Sequence, residues 1–289
     1  MTTPAQAVSR VGVAGFALAV FAFAAAAAEA HRVEKHFPTQ SKPVITVQNS
    51  SGRVEVKAWN KSEVQVLGNH ASDKVEIDTE QAGNRIEVVT HVLDSKATPD
   101  ELKADLQISV PEESELRIRT DSGEVTVASV HGDMAFDTVG ANLELSDVEG
   151  SMVIKTIDGS LVCLRCAGKL DANSISGSMK LLQPSLDRVT VQTSSGDILF
   201  DGNFLRRGIY IMKNYTGNIE VHFAPTDSFD LRANSLKGQV YNEASLKKDP
   251  HGKVPQSRYG SSFIGTVNDG LAKVELSSFS GTIKILKHE

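Results

Sequence analysis

Asp121, Asp133, Asp137, Asp147, Asp158, Asp171 and Asp197 recur at or near glycines through the middle of this 289-residue chain. Carboxylates brought together in pairs, with a basic residue or a metal beside them, are what hydrolysis or elimination on a polysaccharide requires. Aspartate also favours turns for a reason unrelated to catalysis, because its side chain hydrogen-bonds nearby backbone N–H groups. Other reactive signatures are missing. The stretch "SISGS" at 174–178 lacks the first glycine of a nucleophile elbow. No phosphate-binding loop or dinucleotide fingerprint occurs. No two of the eight histidines have the spacing of metal ligands, so neither a metal nor an organic cofactor is expected. Cys163 and Cys166, in "CLRC", leave a short disulfide and free core thiols both open; a redox pair would need a strand-to-helix setting that the surrounding sequence does not offer.

Two features point to binding instead. The segment 242–262 gathers Lys247, Lys248, His251, Lys253 and Arg258, with Tyr259 beside them, on a chain of net charge −6. Such a segment can meet an acidic glycan, phospholipid head groups or a protein, or it can be a solvated loop. Ten of the fifteen Phe and Tyr residues lie after position 199, where they either widen the core or stack on a ligand. The acidic balance argues against nucleic acid, which needs a basic face to displace counterions.

The elements that would carry these residues are set by glycine. Gly123, Gly132, Gly140, Gly150, Gly159, Gly168 and Gly177 are spaced by 9, 8, 10, 9, 9 and 9, and Gly196, Gly217, Gly238 and Gly281 follow at 19, 21, 21 and 43. Two and four residues after most of them stand apolar side chains, as in Val125 and Val127, Ile198 and Phe200, or Ile283 and Ile285. Two residues before, Val130, Val148, Ile157, Cys166, Ile175, Leu236 and Phe279 are apolar as well. Period-two alternation means strands with one buried face, and glycine at a fixed offset means a turn without room for a Cβ. Helical periodicity is nearly absent; "TPDELKAD" at 98–105 offers one turn at most. The nine-residue beat that doubles to about twenty predicts an all-β fold, a parallel β-solenoid (β-helix) of short Gly-punctuated strands, over 116–289. Residues 31–115 hold longer amphipathic strands without that beat and predict an N-terminal β-layer that caps the coil, with Trp59 packed in it.

Residues 1–30 have a short polar start with Arg10, an apolar alanine-rich run and a final "AEA", the layout of a cleaved signal peptide, with an uncleaved anchor as the alternative. No later stretch is apolar enough to span a bilayer, so the mature chain is not expected to be an integral membrane protein. The strand "GRVEVKAW" at 52–59, the entry "ISVPEESELRIRT" at 108–120 and the reiterated glycine units after it resemble the bacterial exported putative-adhesin family, a domain of unknown function, from about 44 to 286. That resemblance implies a β-solenoid outside the cytoplasm with no assigned catalytic residues. Together these readings predict a non-enzymatic exported envelope protein, a binding module or scaffold for a cell-envelope protein or glycan. It would be periplasmic, outer-surface or extracellular. The alternatives are a carbohydrate-active enzyme on a β-helix, and an envelope-stress sensor docking on a membrane protein.

Overall fold

Alternation of apolar and polar residues makes each short segment a ribbon with one dry face, which must be covered by another such ribbon. The computed structural model describes residues 31–247 and 259–288; the expected leader, 1–30, lies outside them. Every regular element among the described residues is a strand. First come β1 (His31–Pro38), β2 (Val44–Asn49), β3 (Arg53–Trp59), β4 (Glu63–His70), β5 (Val75–Ala82), β6 (Arg85–Val92) and β7 (Ala104–Pro111). Two long strands follow, β8 (Glu115–Ala128) and β9 (Met134–Ser146). The middle holds β10 (Glu149–Thr156), β11 (Leu161–Leu164), β12 (Ala167–Ser174), β13 (Met179–Leu182), β14 (Ser185–Thr193) and β15 (Ile198–Asp201). The last group is β16 (Ile209–Asn214), β17 (Ile219–Phe223), β18 (Phe229–Ser235), β19 (Val240–Asn242), β20 (Tyr259–Gly260), β21 (Ser262–Val267), β22 (Ala272–Ser278) and β23 (Ile283–Lys287).

These strands form two walls. In spatial order the first wall is β5, β6, β2, β8, β9, β10, β12, β14, β16, β22, β18 and β21. The second is β1, β4, β7, β3, β8, β9, β11, β13, β15, β17, β23, β19 and β20. The chain crosses from first wall to second and back, and β8 and β9 are long enough to serve both walls. The result is a parallel β-solenoid. Its ten coils, in spatial order, are β6/β7, β2/β3, β8, β9, β10/β11, β12/β13, β14/β15, β16/β17, β22/β23 and β18/β19. At about 4.8 Å per coil the stack is about 45 Å long.

Antiparallel strands close both ends. β5 covers β6, and β4 and β1 extend from β7; at the other end β21 covers β18 and β20 covers β19. An open solenoid end is a row of unpaired backbone groups that invites aggregation; these antiparallel strands pair with the last parallel coils and become the outer edges in their place. The parallel coils take in strands on both sides of residue 115, since β2 and β3 pair directly with β8. Space and sequence part company near each end. β2/β3 sits between β6/β7 and β8, and β22/β23, last in the chain, sits between β16/β17 and β18/β19.

Inward side chains pile into ladders. On the second wall Val54, Val125, Leu143, Leu161, Met179, Ile198, Ile219, Ile283 and Val240 lie in register, all buried. Cys163 and Cys166 are fully buried and joined as a disulfide. The aromatic residues after 199 divide. Phe200, Phe204, Tyr210, Phe223 and Phe229 pack together inside the coil, where the loop 202–208 widens it. Tyr210 ties that loop down: its hydroxyl donates to Leu186 O (2.7 Å) and accepts from the Leu205 N–H (2.7 Å). Burial, first among the causes, pushes the phenol up to about 12. Tyr210→Phe leaves both backbone partners stranded and is expected to cost about 1–3 kcal/mol, read as a lower urea midpoint at unchanged slope.

Trp59 stands at the end of β3, half-buried. Its indole N–H donates to Glu63 O (2.8 Å), and Lys61 Nζ lies 4.3 Å from the ring centre. The segment 98–102 makes a single hydrogen-bonded turn, closed by the Thr98 N–H donating to Glu101 Oε2 (2.8 Å). That bond, with Lys74 beside it, holds the Glu101 carboxyl down to about 2.

Candidate functional site

The glycine series resolves into two columns, one at each corner of the coil. Gly52, Gly123, Gly159, Gly177, Gly196, Gly217, Gly281 and Gly238 line the corner from first wall to second, with Ala141 rather than Gly140 in the fourth coil. Gly132, Gly150 and Gly168 line the corner back. At Gly177 a Cβ would run into the carbonyl of Gly159 in the coil before it, so only hydrogen fits.

Three residues before each member of the first column stands a small polar residue. Asn49, Thr120, Thr138, Thr156, Ser174, Thr193, Asn214, Ser278 and Ser235 follow one another in register. Four of them fasten the turn: the N–H groups of Gly177, Gly196, Gly238 and Gly281 donate to Ser174, Thr193, Ser235 and Ser278 at 2.8–3.1 Å. The alternation that turns this residue inward turns the next one outward.

That parity decides the fate of the apolar residues two before glycine. At the first corner they face solvent: Val139 and Ile157 are 48% exposed, Ile175 and Tyr215 55%, and Leu236 66%. At the other corner Val130, Val148 and Cys166 are buried. There the preceding residues, Ser129, Asp147 and Arg165, have φ of 59°, 54° and 51°; this left-handed kink resets the alternation and swings the next side chain inward. Ile157, Ile175 and Leu236, apolar and at the same offset from glycine as Cys166, therefore stand outside the core.

The outcome is an apolar ridge along one corner of the rod, one side chain per coil. It has two runs, Val139–Ile157–Ile175 and Tyr215–Phe279–Leu236, separated by Ser194. The Tyr215 and Phe279 rings stack at 4.4 Å and 5°, and Lys237 Nζ lies 4.7 Å from the Phe279 ring centre. Phe279 covers one face of Tyr215, and the other face looks toward the coil of Ser194, where the ridge is notched. Beside the ridge runs a polar trough of about 420 Å³. In it Ser160 donates to Asn142 Oδ1 (2.7 Å), Ser176 donates to Asp158 Oδ1 (3.0 Å), and the Asn218 N–H donates to Asp197 Oδ1 (2.6 Å). The corner's backbone is already bonded from coil to coil, as in Ser176 N–H to Ile157 O and Ser280 N–H to Tyr215 O. A ligand here must be gripped by side chains and cannot add a strand.

The seven aspartates do not converge. Asp121, Asp158 and Asp197 lie at the first corner, Asp133 and Asp147 at the other, and Asp137 and Asp171 on the outer face of the first wall. Asp147 is engaged by Arg165 of the next coil through two bonds of 2.6 Å, which holds its carboxyl below the usual range. In the basic segment, Lys247 bonds through its N–H to Thr266 O, and its Nζ lies 3.9 Å from Asp269; both side chains are exposed. Tyr259 begins β20 opposite Tyr241. Lys248, His251, Lys253 and Arg258 lie outside the described residues.

Two parallel walls, glycine-locked corners and antiparallel end covers define a capped, two-sheet β-solenoid with a side-chain ridge on one corner. The chain belongs to the Toastrack DUF4097 family, whose model matches residues 43–286. Solved structures similar to it include a putative adhesin from Bacteroides fragilis (12% identity, 88% of this chain and 97% of that one, TM-score 0.46). Another is a putative lipid binding protein from Parabacteroides distasonis (12% identity, 89% and 97%, TM-score 0.40). A third is a putative cell adhesion protein from Clostridium sporogenes (12% identity, 89% and 100%, TM-score 0.30). No curated protein matches the sequence. No helix among the described residues is long and apolar enough to cross a membrane.

Proposed function

We propose that this chain is an exported, non-enzymatic envelope protein that binds an extended neutral glycan along its ridged corner. The observation that carries the proposal is the Tyr215 ring, 55% exposed and stacked on Phe279, one coil along from Ser194 and from the Ser195–Asp197 end of the polar trough. A sugar ring offers an apolar face for an aromatic wall and hydroxyls for the serine, asparagine and aspartate side chains next to it. The trough carries Asp158 and Asp197 and the protein is acidic, which disfavours an anionic polymer at this corner. Export rests on residues 1–30 acting as a cleaved leader, with the mature protein in the periplasm or beyond. The basic segment with Lys247, Lys248, His251, Lys253, Arg258 and Tyr259 would form a second contact, to acidic groups of the same envelope.

The test is calorimetric titration of the tag-free protein with soluble fragments of a neutral envelope polysaccharide. Tyr215→Ala is expected to weaken binding about tenfold or more, as loss of an aromatic anchor does. Ser194→Leu, which fills the notch, should weaken it similarly, while deletion of 248–258 should not. Equal affinity for wild type and both ridge variants would reject the site.

A further inference from the structure

We infer that Asp201, His222 and His288 form a site for a divalent transition metal of the zinc type. They come from three consecutive coils of the second wall and are independent of the ridge. Asp201 ends β15, His222 lies outward on β17 directly opposite it, and His288 follows β23, the strand on the far side of β17. The backbone N–H of His288 donates to Phe223 O (2.9 Å), which carries the β17–β23 ladder on to residue 288. One ligand atom from each of the three residues lies within 4.8 Å of the other two. Asp201 Oδ1 and His288 Nε2 are 3.0 Å apart, close to the roughly 3.3 Å that separates two ligands held about 2.0 Å from a tetrahedral ion. The imidazole rings meet edge to face at 5.8 Å.

The second ring nitrogen of His222 is already assigned. Its Nε2 contacts Glu220 Oε1 at 2.8 Å, and Glu220 Oε2 contacts Lys284 Nζ at 3.2 Å. A carboxylate on one ring nitrogen fixes the orientation and raises the basicity of an imidazole that ligates through the other, and the site assigns that ligating role to Nδ1 of His222. Two imidazoles and one carboxylate suit zinc, copper or nickel rather than calcium or magnesium, which take oxygen ligands. The three side chains are 30–39% exposed, so the ion has a path in and an open position for water. An ion here ties β14/β15, β16/β17 and the intercalated β22/β23 together.

Titration of tag-free protein with zinc chloride near neutral pH, followed by calorimetry, tests the site. One equivalent should bind and should raise the thermal midpoint. His222→Ala and His288→Ala should each weaken binding at least about tenfold and abolish that rise; Glu220→Gln should weaken it about tenfold through the orientation of His222. Copper(II) bound to the wild type should show nitrogen coupling in its electron paramagnetic resonance spectrum, and His222→Gln, which keeps the ring's bulk in part, should reduce it. Circular dichroism establishes that each variant is folded. No zinc binding by the wild type, or undiminished binding by a folded His222→Ala/His288→Ala double variant, would overturn the assignment.

Discussion

Gly177→Ala is expected to destabilise the protein by about 3 kcal/mol, the upper part of the range for overpacking. Most overpacked sites yield because the struck atom ends a flexible side chain. Here it is the Gly159 carbonyl oxygen, which belongs to the neighbouring coil's backbone, with Ser174 Oγ at 2.9 Å on another side. Relief requires parting two coils whose ladders bond β10 to β12 and β11 to β13. In a domain of this size such a loss lowers the thermal midpoint by about 6–12 °C. Gly140→Ala is the internal control. It belongs to the same run of glycines in the sequence, yet its nearest neighbours for a Cβ are ordinary contacts at 3.5 and 3.7 Å. Its cost should stay within about 0.5 kcal/mol. Comparable midpoints for the two variants would mean that the column does not set the coil spacing.

Ending the chain after residue 271 should do more damage than losing one terminal coil normally does. In a simple repeat array the last coil is outermost, and its removal exposes one new edge. Here β22/β23 is the filling between β16/β17 and β18/β19. Its departure strips partners from strands on both sides and removes Val274, Leu276, Ile283 and Ile285, each at most 2% exposed. At about 2 kcal/mol per side chain the loss is about 8 kcal/mol, comparable to the whole stability of many domains. Residues 224–271 should then exchange amide hydrogens freely and be cut by protease at low concentration, while β8–β13 remain protected. Retained protection over β18 and β19 would show that they settle directly onto β16/β17 and that the inserted coil is dispensable.

The rungs were legible in the sequence because two requirements, a dry face and a Cβ-free turn, leave marks at fixed offsets. Val125, Ile198 and Ile283 declared themselves in this way. The order of the coils left no such mark: "AKVELSS" and "IKILK" read like any other pair of strands, and which gap they enter is decided by contacts with distant parts of the chain. The ridge was half visible. Ile157 and Cys166 stand at the same distance from a glycine, but one follows an in-register threonine and the other a left-handed arginine, and that preceding residue is the signal that separates outside from inside. The histidine–aspartate cluster was invisible for the reason the coil order was. His222 and His288 are strangers in sequence until the last coil slides in beside β17.

The burial of the last coil between two others has a mechanical side. Pulling on the C-terminal end cannot peel the rod one layer at a time, because β22 and β23 are held on both flanks and must be sheared out against four ladders at once. The same arrangement makes completion of the rod wait for its final residues, since the slot they fill lies between layers spelled out earlier. A protein threaded through a membrane from its N-terminus would thus lock only after its tail has cleared the pore.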